Sequence, residues 1–109
     1  MRRDSHREGY SLEDLLALLS SERGDCIRLQ VGLQPILIVR GRDQKIDGPL
    51  VEDKDVDSLI RSIAGTRRVR ALRETGSVDL VHTFRGCNFL LRLTSAFGMR
   101  GIDVHALRS

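Results

Sequence analysis

Apolar residues recur with two different periods along the first part of the chain. Over residues 12–19 leucines fall at the spacing of one helix face, and Ser11, three positions before an acidic residue, forms a start similar to a capping box. Gly24 supplies the C-terminal signal of this helix. Residues 26–31 alternate between apolar and polar, which predicts a strand, and the continuously apolar residues 36–39 predict a second, central strand. The short connection between the two strands predicts an antiparallel hairpin.

The second half of the chain predicts two more helices and three longer strands. One helix is expected from a cap at Asp53 to Gly65, and a shorter one from Thr66 to Gly76. The inward positions of the strands are Val78, Leu80 and His82, then Phe89, Leu91 and Leu93, then Ile102, Val104 and Ala106. With a short strand near Lys45 and Ile46, the order is α-β-β-β-α-α-β-β-β. We therefore expect an α+β fold with an antiparallel PAS-like sheet of five to six strands and three helices.

Length and composition fit one modest globular domain. The chain has 109 residues, of which 40% are hydrophobic and 30% charged. Residues 1–10 are polar and are expected to form a flexible segment, which leaves residues 11–109 as the domain. The N-terminus is charged, and the sequence has no apolar run long enough to cross a bilayer; residues 36–39, for example, span only four positions. We expect a cytoplasmic protein without membrane insertion, with Cys26 and Cys87 as reduced thiols.

The sequence contains no recognised catalytic motif. It lacks the phosphate loop GxxxxGK[ST], the dinucleotide fingerprint GxGxxG, the metalloprotease motif HExxH and the CxxC pair. The histidines and cysteines do not have the short spacing that metal sites favour; they are His6, His82, His105, Cys26 and Cys87. We therefore predict no enzymatic activity, no metal and no cofactor.

A basic cluster on the predicted third helix is the main candidate for nucleic-acid binding. It consists of Arg67, Arg68, Arg70 and Arg73, in a chain with a formal net charge of only +3. No aromatic residue stands beside the cluster to stack on bases. A solvated helix face, or one side of a protein interface, explains these arginines better than a nucleic-acid site.

The hairpin segment carries a motif of its own. Residues 32–41 read GLQPILIVRG and are similar to the hairpin motif GLPP-x-x-x-V-x-G of the ATPases that drive type IV pilus retraction. Gly32, Pro35 and Gly41 are expected to be structural turn residues, because glycine and proline set the tight reversal between two strands.

Two further segments resemble the same family. Residues 72–80 are similar to its motif L-x-E-x-x-d-x-S-F, and residues 89–108 are similar to its closing hairpin. Over residues 11–109 the order and spacing of these motifs resemble the N-terminal, PAS-like domain of PilT-type ATPases of type IV pilus retraction and type II secretion. In that family the domain precedes a RecA-like motor and packs against neighbouring motors in a hexamer.

The resemblance implies a non-catalytic accessory domain that acts through protein contacts, with a pilus or secretion ATPase motor, or its own oligomer, as partner. In the family, arginines of the last strands approach the nucleotide phosphates. Here Leu90 and Leu91 occupy the place of the family's paired arginines, and Arg92, Arg100 and Arg108 remain as candidate binding residues. They are expected either to form a basic edge that binds a motor-like partner or its nucleotide, or to be three solvated surface arginines.

Two other functions stay open at the level of sequence: a PAS-like sensor or regulatory module that holds a small ligand, and a basic nucleic-acid adaptor, which the weak charge disfavours. The chain also ends where the family's motor domain would begin. It fits either part of a longer protein or a stand-alone relative, and Met1 favours the second.

Overall fold

A computed structural model of the chain describes residues 10–96 and 99–107, together with all of their side chains except those of residues 64–69, 96 and 99. These residues form an α+β fold with one six-stranded antiparallel sheet, which confirms the predicted fold class. The elements in chain order are α1 (Leu12–Ser21), β1 (Cys26–Gln30), β2 (Ile36–Val39), β3 (Arg42–Lys45), α2 (Asp53–Thr75), β4 (Ser77–Phe84), β5 (Cys87–Ala96) and β6 (Met99–Leu107).

The last strand of the chain lies inside the sheet. The strand order is β3-β2-β1-β6-β5-β4, so β6 pairs with β1 on one side and with β5 on the other. The predicted antiparallel hairpin of β1 and β2 is present, with Ile27 opposite Leu37. β2 has a neighbour on each side, and β3 and β4 form the two edges of the sheet.

Both helices pack on the same face of the sheet. The core is one cluster of buried side chains, to which α1 contributes Leu15, Leu16 and Leu19, α2 contributes Val56, Leu59, Ile60 and Leu72, and the strands contribute Ile27, Leu29, Leu37, Leu80, Phe89, Leu91, Leu93, Ile102 and Val104. These strand residues occupy alternate positions, as the alternating pattern predicts for a sheet with one covered face. The residues between them therefore point to the other face.

The two helices predicted on either side of Gly65 are one continuous helix, α2, of 23 residues. A glycine inside a helix costs only about 1 kcal/mol relative to alanine, and buried side chains on both sides of Gly65 outweigh that cost. The cap is also one residue earlier than predicted: it is Glu52, not Asp53. The Glu52 N–H donates to Oδ2 of the buried Asp55 at 2.8 Å, which fixes the start of the helix.

The remaining ends of the elements have local causes. Ser11 Oγ accepts a hydrogen bond from the Asp14 N–H at 3.4 Å, so the predicted cap of α1 is present. α2 ends, as predicted, at Gly76, whose left-handed backbone (φ 88°) turns the chain into β4. Tyr10 packs against the core, and its hydroxyl donates to the carbonyl of Pro49. Within the described ranges, neither helix combines the length and apolarity that crossing a bilayer demands.

Candidate interaction surface

The face of the sheet opposite the helices is open in the described part of the chain. Its side chains alternate with those of the core, and most of them are exposed or half-buried. Because no helix of residues 10–96 or 99–107 covers this face, the chemistry of its rows of side chains decides what it can bind. We call it the open face.

One row across the open face alternates in charge over four strands. Asp79 of β4 lies opposite Arg92 of β5, Arg92 lies opposite Asp103 of β6, and Asp103 lies opposite Arg28 of β1. Arg92 donates two hydrogen bonds to Asp79, from Nε to Oδ1 at 2.9 Å and from Nη2 to Oδ2 at 3.1 Å. Arg28 Nε lies 3.4 Å from Asp103 Oδ1. We call these four residues the charge row.

The ion pair of Arg92 and Asp79 has an electrostatic consequence. The hydrogen bond from Arg92, supported by the charge of its guanidinium, lowers the pKa of the Asp79 carboxyl below its ordinary value. The same contact raises the pKa of Arg92. Both side chains are about half exposed, so this row offers hydrogen-bonding groups at the surface rather than a buried catalytic pair.

A less polar row runs beside the charge row. In register across the sheet it contains Val81, Leu90, His105, Cys26 and Ile38. Val81, on the edge strand, is 61% exposed, whereas Cys26, inside the sheet, is buried. Burial raises the pKa of the Cys26 thiol to about 11, so this sulfur is protonated at neutral pH and contributes to packing.

A shallow cavity of about 220 Å³ lies on the open face above Gly101 of β6. Arg28, Gln30, Thr94 and Asp103 are among the residues that line it. An added Cβ at Gly101 would lie 2.6 Å from the carbonyl oxygen of Leu29, so the close approach of β6 to β1 requires glycine here.

Arg100 lies on the helix side of the sheet. Its Nη1 is 3.1 Å from Asp53 Oδ1, and its Nη2 contacts Asp57, so this arginine ties β6 to the first turns of α2. The hydrogen bond from Arg100 lowers the pKa of the Asp57 carboxyl. Arg61, Arg73 and other groups join Arg100 and Asp57 around a cleft of about 300 Å³, in which the basic groups outnumber the acidic one.

The structure therefore separates the predicted binding arginines. Arg92 points to the open face and Arg100 to the helix side, so these two do not share a basic edge. Arg108 lies outside the described residues. The separation of Arg92 from Arg100 follows from the pairing of β5 with β6, in which Arg92 is opposite Asp103 and Arg100 is opposite Ser95 on the other face.

The predicted turn residues lie at both ends of β2. Gly32 has a φ of 94°, and its N–H donates to the Val51 carbonyl at 2.8 Å. Pro35 is fully buried, and its carbonyl accepts a hydrogen bond from the Ile46 N–H at 2.9 Å. Gly41 (φ 78°) completes the turn into β3. All three shape the backbone around the hairpin.

Sequence reasoning missed the acidic partners of the arginines. Asp79 in β4, Asp103 in β6 and Arg28 in β1 each lie between apolar positions of a strand in which apolar and polar residues alternate. The alternation alone places these side chains on the face away from the core. That they form one row requires the pairing of β1 with β6, which a local pattern does not contain.

Comparisons with known proteins find likeness in structure. No protein-family model matches the chain. No curated protein matches it either. Three similar solved structures are the ATPase DotB of Legionella pneumophila (20% identity, TM-score 0.77), the pilus retraction motor PilT with bound ADP (17%, 0.80) and the ATPase DotB of Yersinia pseudotuberculosis (10%, 0.74).

The likeness covers nearly all of this chain and a minor part of those proteins. The matches span 90%, 92% and 98% of this chain but 28%, 30% and 32% of the three ATPase chains, respectively. The chain thus spans about a third of their length and has the fold of one segment of them. At the level of the fold, this confirms the predicted likeness to the N-terminal domain of PilT-type ATPases.

Proposed function

We propose that this chain is a non-catalytic accessory domain that binds a protein partner through the open face of its sheet. The observation that carries the proposal is the charge row of Asp79, Arg92, Asp103 and Arg28, which lies on a face that the described helices leave uncovered. Alternating charges at the surface give little stability, but they favour a partner with complementary charges and fix its register.

An ATPase of the pilus retraction or secretion class is the partner that the fold favours. The chain shares its fold with a segment of one pilus retraction motor and two other ATPases. In the resembled family this segment works beside a motor domain, so a domain of this shape is suited to contact one. Arg92, as a member of the charge row, would then contact this partner directly.

A small anionic ligand is a second candidate, favoured by the cleft at Arg100. Three guanidinium groups, those of Arg61, Arg73 and Arg100, and the hydroxyl-bearing Ser95 surround about 300 Å³ with one carboxylate among them. Guanidinium groups recognise phosphates and carboxylates through paired hydrogen bonds. Such a ligand would have to compete with Asp53 and Asp57 for Arg100.

A binding measurement tests the main proposal. A purified PilT-type ATPase, encoded in the same genome, is immobilised, and binding of the full chain is followed by biolayer interferometry. We expect binding that is weakened at least tenfold by the double substitution Arg28→Glu and Arg92→Glu. Lys54→Glu, a charge reversal at a 73% exposed position of α2, is the matched control and should bind like the wild type.

Two results would contradict the proposal. Absence of binding by the wild type would eliminate this ATPase as the partner, and equal binding by the double variant would eliminate the charge row as the docking surface. The non-catalytic part is tested separately, because the chain alone should release no phosphate from ATP above the buffer blank. Turnover that a substitution in this chain abolishes would refute it.

A further inference from the structure

The two edges of the sheet differ in how well they are protected against pairing. The edge strand β3 has four residues, all exposed, and three of them are charged: Arg42, Asp43 and Lys45. The other edge, β4, has eight residues, and its only acidic residue, Asp79, is already paired with Arg92. Short, charged edges resist pairing with another strand, whereas long edges of low charge invite it.

The hydrogen bonds of β4 show which of its backbone groups are directed away from the sheet. The Ser95 N–H donates to the Gly76 carbonyl at 2.8 Å, so residues 76 and 95 form a hydrogen-bonded pair. Hydrogen-bonded pairs alternate with non-hydrogen-bonded pairs along an antiparallel ladder. Counting along the register with β5, the N–H and C=O groups of Asp79, Val81 and Thr83 are directed outward.

These outward groups form a short free ladder in the described part of the chain. Ser77 also faces outward, but its carbonyl already accepts a hydrogen bond from Thr75 Oγ1 at 2.8 Å. The outward N–H and C=O groups of Asp79, Val81 and Thr83 have no backbone hydrogen-bond partner among residues 10–96 and 99–107. The side chain of Val81, in the middle of this ladder, is 61% exposed.

We propose that β4 pairs in antiparallel orientation with β4 of a second copy of this chain, about a two-fold axis at Val81, so that two sheets join into one. This inference goes beyond the proposed function, because it uses the edge of the sheet and holds whether or not the chain binds an ATPase.

The sequence of β4 complements itself in this register. Val81 faces Val81 of the second copy and extends the less polar row across the joint, while Asp79 faces Thr83. On the helix side of the sheet, Leu80 faces His82 of the second copy. An axis at Asp79 would instead bring two aspartates together, and like charges directly opposite each other are destabilising. Of these two axes, the one at Val81 is therefore favoured.

Sedimentation of the full chain over a concentration series tests the proposal with two matched proline substitutions. Val81→Pro removes an outward N–H that β5 does not use. Asp43→Pro removes the equivalent outward N–H from β3, since the Ile46 N–H bond to Pro35 sets the same alternation there. We expect a concentration-dependent dimer for the wild type and for Asp43→Pro, and a monomer for Val81→Pro with unchanged circular dichroism.

Cross-linking provides a second measurement that leaves the backbone intact. In a Cys87→Ser background, Val81→Cys should form a disulfide-linked dimer under mild oxidation, because the two residues face each other across the axis. Thr83→Cys, which would face Asp79 instead, should cross-link at least tenfold less. A wild-type chain that stays monomeric at its solubility limit, a Val81→Pro variant that still dimerises, or equal cross-linking at the two positions would overturn the proposal.

Discussion

Arg92 and Arg100 lie on opposite faces of the sheet, although both belong to the β5–β6 hairpin. Arg92 is opposite Asp103 and makes two hydrogen bonds to Asp79 on the open face. Arg100 is opposite Ser95 and reaches Asp53 and Asp57 on the helix side. The two arginines therefore act separately: one belongs to a surface row, and the other joins the sheet to a helix.

Removal of Arg92 should raise the pKa of the Asp79 carboxyl. Because Arg92 stabilises the carboxylate, the Asp79 carboxyl should titrate below the ordinary aspartate pKa of 3.8, and Arg92→Ala should raise its pKa toward that value. The measurement is an NMR pH titration of the side-chain carboxyl resonances. Arg28→Ala, whose arginine contacts Asp103 instead, is the control and should leave Asp79 nearly unchanged. An Asp79 pKa that does not respond to Arg92→Ala would contradict the observed ion pair.

Arg100→Ala should destabilise the domain in a pH-dependent way. The arginine is 27% exposed and makes two ion pairs, so its loss should lower the free energy of unfolding by about 1 kcal/mol at pH 7. The hydrogen bond from Arg100 lowers the pKa of Asp57 in the folded state. The stability that this ion pair contributes is therefore fully present above the unfolded pKa of 3.8 and is lost as pH falls through the folded pKa. Urea unfolding of the wild type and the variant at pH 7 and at a pH below the folded-state pKa of Asp57 measures the effect.

Lys54→Ala serves as the control for Arg100→Ala, because Lys54 is 73% exposed and forms a surface ion pair with Glu52. Its effect on unfolding should be small at every pH. If the difference between wild type and Arg100→Ala persisted unchanged at a pH below the folded pKa of Asp57, packing rather than ion pairing would explain it.

Leu37→Ala should be severely destabilising. Leu37 is 4% exposed in β2 and belongs to the core cluster, so truncation should cost about 2–5 kcal/mol. Leu33→Ala, at a 49% exposed position of the preceding turn, is the matched control and should change the thermal midpoint little. Equal midpoints for the two variants would show that Leu37 does not contribute to the core as the structure places it.

Local patterns predicted the faces of the strands but not their neighbours. The alternation of Phe89, Leu91 and Leu93 identified inward positions correctly, because a sheet with one covered face imposes a period of two. The pairing of β1 with β6 joins distant parts of the chain, and only long-range packing selects it. Gly65 misled the prediction of α2 because propensity is a weak signal when buried side chains on both sides support the helix. Thus the fold class was predictable, and the charge row was not.

The two cysteines should differ strongly in reactivity. Cys87, at the start of β5, is exposed, whereas Cys26 is buried and has a pKa of about 11, so little thiolate forms at pH 8. With an aromatic disulfide reagent in native buffer, we expect one rapidly modified thiol, and two after denaturation. Cys87→Ser should remove the rapid phase. A rapid phase that survives in Cys87→Ser would mean that Cys26 is accessible in solution.

Gly101→Ala should weaken the centre of the sheet. The added Cβ would lie 2.6 Å from the Leu29 carbonyl oxygen, which is a backbone atom, so β6 could accommodate it only by moving away from β1. Overpacking of this kind typically costs about 1–3 kcal/mol, and the shift would also disturb the spacing between Arg28 and Asp103 in the charge row. Chemical denaturation gives the cost, and amide hydrogen exchange locates it, with the earliest loss of protection expected in β1 and β6. Thr94→Ala, opposite Gly101 on the same face, changes the side chain without a clash and is the control. If Gly101→Ala unfolded at the same denaturant concentration as Thr94→Ala, the close approach of β6 to β1 would not hold in solution.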